Sequence, residues 1–168
     1  MSDNSQIFTV PKLLRKEQDL SRRYELLECL GKGAMGAVYR ALLKGPLGFN
    51  KTCAIKTIQL SGYGDQDLDQ IVHEAQIGAL LRHQNVVEVF DLAMEPDQIM
   101  IIMDYVDGLT LRDLCNDERR LSPQAVLDIA IQICSGLEYI HHLHHENRWL
   151  QLVHCDLKPG NILISQSG

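Results

Sequence analysis

His154-Cys155-Asp156-Leu157-Lys158-Pro159-Gly160-Asn161 is the most informative stretch of this 168-residue sequence, because of the three elements that come before it. A glycine-rich run, Gly31-x-Gly33-x-x-Gly36-x-Val38, comes first, and Cys53-Ala54-Ile55-Lys56 follows it. Glu74 then lies in a stretch with helical spacing. Each element alone is a modest signal, whereas four of them in this order and at workable spacings form a strong one.

Together the four elements resemble roughly the first half of a protein kinase domain of the bacterial Ser/Thr type, from about Tyr24 to Ile164. The resemblance implies an α+β, protein kinase-like fold. A five-stranded antiparallel N-lobe with one helix would precede the first part of a mainly helical C-lobe. The expected domain organisation is an N-terminal leader (1–23), the kinase N-lobe with its hinge (24–106) and a partial C-lobe (107–168).

The hydrophobic pattern supports this organisation. Apolar residues at helical spacing predict a helix over 67–81, and Ser122 with Pro123 is typical of the start of a second helix, which we expect to reach about His142. Runs of β-forming residues predict five strands and, after the octapeptide, a short sixth one; they cover 24–30, 37–43, 53–60, 86–92, 98–104 and 162–164.

The glycine-rich run has two alternative interpretations. A dinucleotide-binding turn shares its spacing but requires a helix directly after the loop and an acidic residue about 20 positions later. Here strand-like residues follow Gly36, and the residue 20 positions after it is the cation Lys56. The sequence therefore favours a β-hairpin lid whose glycines let backbone N–H groups approach phosphates, with a plain glycine-rich hairpin as the alternative.

Lys56 lies in an otherwise apolar strand, where an unpaired ammonium group is costly. The resemblance supplies two anionic partners for it, the α/β-phosphates of ATP and the carboxylate of Glu74. A surface ion pair of little consequence is the alternative.

The resemblance also implies an adenine pocket. Leu30, Val38 and Ala54 would supply its apolar walls, and the backbones of Asp104 and Val106 would form hydrogen bonds with the base. An ordinary buried strand that leads into a loop is the alternative for the last two residues.

In the octapeptide, the resemblance assigns three roles. Asp156 would accept the proton of a substrate hydroxyl, Lys158 would steady the transferred phosphoryl group, and Asn161 would bind one Mg²⁺. Lysine at position 158 resembles kinases that act on Ser or Thr rather than on Tyr. Cys155 stands where many kinases have an arginine that pairs with a phosphorylated activation loop, and a thiol cannot replace its charge, so the resemblance does not carry over control by loop phosphorylation.

The family's Asp-Phe-Gly motif would be expected about a dozen residues past Asn161, and the sequence stops seven residues past it. We therefore expect an ATP-dependent protein serine/threonine kinase present as an incomplete catalytic domain. A non-catalytic nucleotide-binding or interaction module is the alternative. The second helix is apolar around most of its circumference, and the 26 residues after His142 are too few to cover it, which favours self-association.

Composition narrows the possible partners and the compartment. The net charge of −6 gives no electrostatic support for a nucleic-acid partner. Met1–Val10 does not resemble a signal peptide, and no window approaches 18 apolar residues, so we expect no membrane span. Five scattered cysteines without a Cys-x-x-Cys pair indicate reduced thiols, as in a cytoplasm.

Overall fold

The computed structural model describes residues 23–33, 36–116 and 121–166. The predicted leader thus lies outside the described residues, except for Arg23. The chain divides into two compact units. The first runs through Leu80 and resumes over Glu88–Tyr105, and the second comprises Leu81–Val87 and the chain from Val106 onward.

The first unit contains a five-stranded sheet in the order β1-β2-β3-β5-β4, and every neighbouring pair is antiparallel. Helix α1 covers Asp65–Gly78. Within the described residues of this unit, the predicted five-stranded sheet and the helix that follows its third strand are confirmed. The strands are β1 Tyr24–Gly33, β2 Gly36–Lys44, β3 Asn50–Gln59, β4 Val89–Met94 and β5 Gln98–Asp104.

Successive side chains of a strand point to opposite faces, and both faces of this sheet are apolar. Around Cys53 and Ile55 of β3, one cluster also contains Tyr24, Ala41, Ala93, Met100 and Ile102. A second cluster forms around Ile58, and it includes Val72 and Ala75 of α1 together with Ile99 and Ile101. The helix therefore packs against the face on which Ile58 lies.

Several boundaries in this unit differ from the prediction: β1 continues to Gly33 rather than residue 30, and β3 begins at Asn50 rather than residue 53. Helix α1 ends at Gly78 rather than near residue 81, and β4 begins at Val89 rather than at residue 86. The segment between them forms a tight turn, in which the Val86 N–H donates to the His83 carbonyl oxygen at 2.9 Å. The N–H of Val86, where β4 was predicted to begin, is thus bonded within the turn.

In the second unit, helix α3 covers Pro123–His141 and agrees with the prediction. Ser122 is its N-cap, because Ser122 Oγ accepts from the Ala125 N–H at 3.1 Å. Several apolar side chains of α3 are exposed: Val126 at 51%, Leu127 at 58% and Ile131 at 65%. Among the described residues, the apolar surface expected on this helix is therefore largely uncovered.

The second unit also contains short elements that the sequence pattern did not predict. Helix α2 covers Leu111–Asn116, and strands β7 (His144–His145) and β8 (Arg148–Trp149) form a hairpin. Its two turn residues, Glu146 and Asn147, have φ angles of 49° and 62°, as a tight hairpin turn requires. Strand β6 (Gly108–Thr110) pairs with β9 (Leu163–Ser165), the strand predicted over 162–164.

Candidate active site

The glycine-rich run joins β1 to β2, and the structure requires glycine at one of its positions but not at another. Gly36 has a φ angle of 149°, and a Cβ there would lie 1.8 Å from the Thr57 carbonyl oxygen. No other residue fits this position without backbone movement. Gly31, in contrast, has open space where a Cβ would project. Ala34 and Met35, between Gly33 and Gly36, lie outside the described residues.

Strand register aligns several of the predicted nucleotide-binding residues. Val38 lies opposite Gly31 of β1 on one side and opposite Lys56 of β3 on the other. Directly opposite residues in antiparallel strands share a face of the sheet. The glycine-rich run, the apolar side chain of Val38 and the ammonium group of Lys56 therefore lie side by side across three strands.

Ala54 and Leu30, the other predicted wall residues, differ in burial. Ala54 is buried in β3, two residues before Lys56, and therefore lies on the same face as Lys56. Leu30, near the end of β1, is exposed. The apolar side chain of Leu30 is therefore accessible at the surface.

Lys56 and Glu74 do not form the ion pair that the resemblance implies. Lys56 is half-buried and lies on the face that packs against α1, the helix that carries Glu74. Glu74 is exposed, and its Oε1 atom accepts from Gln70 Nε2 at 3.1 Å. Within the described ranges, the structure contains no ion pair of Lys56.

Asp104 is the last residue of β5, and it is firmly held. Its N–H donates to the Glu88 carbonyl oxygen at 3.0 Å, and its Oδ1 accepts from Lys51 Nζ at 2.9 Å. Val106, the other predicted adenine contact, is a half-buried residue at the start of the main segment of the second unit. Lys51 was not among the predicted site residues, because only the register of β3 against β5 brings it to Asp104.

The octapeptide brings Asp156, Lys158 and Asn161 together. Lys158 Nζ lies 2.8 Å from Oδ1 and 2.7 Å from Oδ2 of Asp156. A single 3₁₀ turn over Pro159–Asn161 returns the chain, so that Asn161 Nδ2 donates to Asp156 Oδ2 at 2.8 Å. All three predicted residues of the octapeptide therefore form one polar cluster.

The electrostatics of the cluster favour an ionised Asp156. The hydrogen bond from Lys158, and then that from Asn161, lowers the pKa of Asp156 below its ordinary value of 3.8. The carboxylate is solvent-exposed. It is therefore ionised at neutral pH and accessible as an acceptor of a proton or a hydrogen bond.

Cys155 has an unusual backbone conformation beside this carboxylate. Its φ angle is 58°, in the left-handed region that residues other than glycine seldom adopt. The next residue, Asp156, donates its N–H to the His154 carbonyl oxygen at 2.8 Å. This tight turn directs the chain so that His154, Cys155 and Asp156 are all exposed.

Arg112 of α2 is a second residue that the sequence pattern did not single out. Its guanidinium group lies against Gly160, because a Cβ at Gly160 would be 2.9 Å from Arg112 Nη2. Glycine at position 160 is therefore the residue that leaves room for Arg112 beside the octapeptide. No sequence signal could have joined the two, since they are far apart along the chain.

Asn161 has an amide oxygen available for a hard cation. Its Nδ2 atom donates to the main-chain oxygen and to Oδ2 of Asp156, so Oδ1 is not used in these contacts. The described residues contain no group of three or more His, Cys, Asp or Glu side chains that could hold a metal ion. Mg²⁺ is usually bound through one or two protein oxygens together with substrate phosphates, and Asn161 fits such a partial site.

Comparison with known proteins identifies relatives across nearly the whole chain. The family model for the protein kinase domain matches residues 24–168. The serine/threonine-protein kinase PrkC of Bacillus subtilis is 35% identical over 150 residues, which are 89% of this chain and 22% of PrkC. PknB of Mycolicibacterium smegmatis is 34% identical over 155 residues, 89% of this chain and 23% of PknB. This chain thus spans about a fifth of the length of such relatives.

A solved structure has a similar fold. The crystal structure of Rad53 1–466 in complex with AMP-PNP superposes with a TM-score of 0.71 and 26% sequence identity. The match covers 88% of this chain and 36% of the Rad53 chain.

Proposed function

This chain belongs to the protein kinase domain family, and from that membership we propose that the protein transfers the γ-phosphoryl group of ATP to a serine or threonine hydroxyl of a protein substrate. The observation that carries the proposal is the cluster of Asp156, Lys158 and Asn161. Lys158 and Asn161, for which the family implies separate roles in phosphoryl transfer, both lie within hydrogen-bonding distance of the Asp156 carboxylate.

ATP is the proposed nucleotide. The glycine-rich run gives phosphates access to the backbone at Gly31, and Lys56 supplies a cation two strands away in register. Val38, Ala54 and Leu30 are apolar groups suited to the faces of a base. The similarity to Rad53, whose structure contains AMP-PNP, supports the same class of ligand for this chain.

Lys56 is expected to bind the α/β-phosphates and Glu74 to pair with Lys56 when nucleotide is present. The carboxylate of Glu74 is on the helix that packs against the face of Lys56, so the two groups belong to one side of the sheet. The main-chain atoms of Asp104 and Val106 are the proposed partners of the adenine edge.

Asp156 is the proposed acceptor of the substrate hydroxyl's proton. Its lowered pKa makes it a weak base in the resting chain, but it remains an ionised acceptor that can orient the hydroxyl. Lys158 places its ammonium group at 2.7 Å from the same carboxylate, where it can shift towards negative charge on the transferred phosphoryl group. Asn161 would hold Mg²⁺ through Oδ1, and the ion would neutralise phosphate charge.

The setting proposed for this activity is a reducing cytoplasm. All five cysteines lie in the described part of the chain, and all five are free thiols there. Within the described residues, no helix combines the length and hydropathy needed to cross a bilayer. We also propose that the exposed apolar side chains of α3 let the chain associate with a second copy of itself.

The proposal is tested with wild-type protein and the Asp156→Asn variant. We expect both to bind ATP with similar affinity in calorimetry, because Asp156 lies in the octapeptide and not in the glycine-rich run. Any transfer of labelled phosphate to a protein substrate should depend on Asp156, with a loss of about a hundredfold or more in the variant. ATP binding without any Asp156-dependent transfer would instead favour a non-catalytic nucleotide-binding module. Absence of ATP binding would refute both.

A further inference from the structure

Lys51 and Asp104 form an ion pair that ties the start of β3 to the last residue of β5. Cys53 lies directly opposite Asp104 in the β3–β5 ladder, so Lys51, two residues before Cys53, is the diagonal neighbour of Asp104. Diagonal neighbours in an antiparallel pair are within reach of a long side chain. Lys51 Nζ lies 2.9 Å from Asp104 Oδ1.

A second contact fixes the ammonium group of Lys51. Its Nζ atom lies 4.3 Å from the centre of the Phe90 ring, a favourable position for a cation. Phe90 is the extra residue of a β-bulge between Val89 and Asp91 of β4, and bulges redirect side chains. The ring itself packs against the core cluster around Cys53. Lys51 is thus held by a carboxylate and by an anchored aromatic ring.

Asp104 is therefore held from two sides. Its carboxylate is bound to Lys51 on β3, and its N–H donates to the carbonyl oxygen of Glu88, just before β4. We propose that Lys51 is a positioning residue for adenine: through the Asp104 carboxylate it fixes the main chain of Asp104 in the conformation that receives the base. This inference rests on the proposed function, in which the Asp104 backbone contacts adenine.

A role in overall stability does not account for this arrangement. The Lys51 and Asp104 side chains are 46% and 43% exposed, and exposed ion pairs contribute at most about 1 kcal/mol. Lys44 and Glu25 provide a matched control on β2 and β1. They are 2.8 Å apart, each is 48% exposed, and they are also diagonal neighbours, because Leu42 lies opposite Glu25.

The experiment compares Lys51→Met, Lys51→Arg and Lys44→Met with the wild-type chain. Calorimetry measures the affinities for adenosine and for ATP, and amide hydrogen exchange measures opening at Asp104 without ligand. We expect Lys51→Met to lower the affinities for adenosine and for ATP by the same factor, about two- to fivefold, and to speed amide exchange at Asp104. Lys51→Arg keeps the charge and the contact with the ring, so both readouts should stay near wild type. Lys44→Met should change neither.

The outcomes separate this inference from the proposed function. Equal affinities and exchange rates in Lys51→Met and Lys44→Met overturn the positioning role. Faster exchange with an unchanged adenosine affinity also overturns it, because Lys51 would then act on the fold alone. If the wild-type chain binds neither adenosine nor ATP, the proposed nucleotide site is wrong. In that case, faster exchange at Asp104 in Lys51→Met would still show that Lys51 holds the main chain of Asp104, and unchanged exchange would show that it does not.

Discussion

Asn161 Nδ2 lies 2.8 Å from both the main-chain oxygen and the Oδ2 atom of Asp156. This fork holds the carboxylate in one orientation relative to its own backbone. Asn161→Ala removes both hydrogen bonds and the amide oxygen proposed to hold Mg²⁺, so we expect any phosphoryl transfer to fall by about tenfold to a hundredfold. Asn116→Ala, on an exposed asparagine at the end of α2, is the control and should retain activity. Equal rates in the two variants, measured with labelled ATP, would show that the fork has no part in catalysis.

The pKa of Asp156 gives a second prediction. The folded chain lowers this pKa below 3.8, so the carboxylate stays ionised to lower pH than in an unfolded chain. The stability that the ionised carboxylate contributes is therefore lost as the pH falls through the folded pKa. Lys158→Met removes the largest cause of the shift. The titration midpoint of Asp156, followed by NMR of its carboxyl carbon, should therefore rise towards 3.8. A midpoint that stays the same would mean that Lys158 does not hold the carboxylate in solution.

Lys56 gives a third prediction. Strand register places its ammonium group beside the glycine-rich run. Lys56→Ala should therefore lower the affinity for ATP far more than the affinity for adenosine, which has no phosphates. Lys44→Ala removes a lysine from β2 that is paired with Glu25, and it should leave the ratio of the two affinities unchanged. Calorimetry with both ligands measures the ratio. If Lys56→Ala weakens adenosine as much as ATP, Lys56 does not contact the phosphates.

Much of the fold and of the octapeptide cluster was predictable, because both depend on local patterns. Asp156, Lys158 and Asn161 lie within six residues of one another, so a single turn suffices to bring them together. The five strands follow from runs of β-forming residues. The family match over residues 24–168 agrees with the order of the motifs.

The remaining contacts depend on long-range geometry. The pairing of Lys51 with Asp104 requires the register of β3 against β5, which neither segment encodes by itself. The hairpin over His144–Trp149 contains no glycine at its turn, and the usual hairpin signal is therefore missing. The expected pair of Lys56 with Glu74 requires a particular position of α1, and in this structure Glu74 contacts Gln70 instead.

Two glycines in the same loop should respond in opposite ways to alanine. Gly36→Ala places a Cβ 1.8 Å from the Thr57 carbonyl oxygen at a φ angle of 149°, so it should lower the free energy of unfolding by about 1–3 kcal/mol. The Cβ added by Gly31→Ala meets no atom within 4 Å, so stability should stay nearly unchanged. The same Cβ should weaken ATP binding, because it obstructs access of the phosphates to the backbone. Thermal denaturation and calorimetry distinguish the two effects. Similar melting temperatures for both variants would contradict the strain assigned to Gly36.

The exposed face of α3 gives the last prediction. Ile131 is 65% exposed and lies one turn from Leu127, which is 58% exposed, so the two form an apolar patch that water disfavours. We expect the wild-type chain to form oligomers in light scattering and to bind a hydrophobic dye. Ile131→Glu should shift it towards monomer and reduce dye binding, because an ionised carboxylate is costly to bury in an apolar contact. Gln66→Glu adds the same charge to exposed Gln66 of α1 without removing apolar surface, and it should leave association unchanged. If both variants reduce association equally, net charge rather than the α3 face controls association. A monodisperse wild-type monomer without dye binding would exclude self-association through this face altogether.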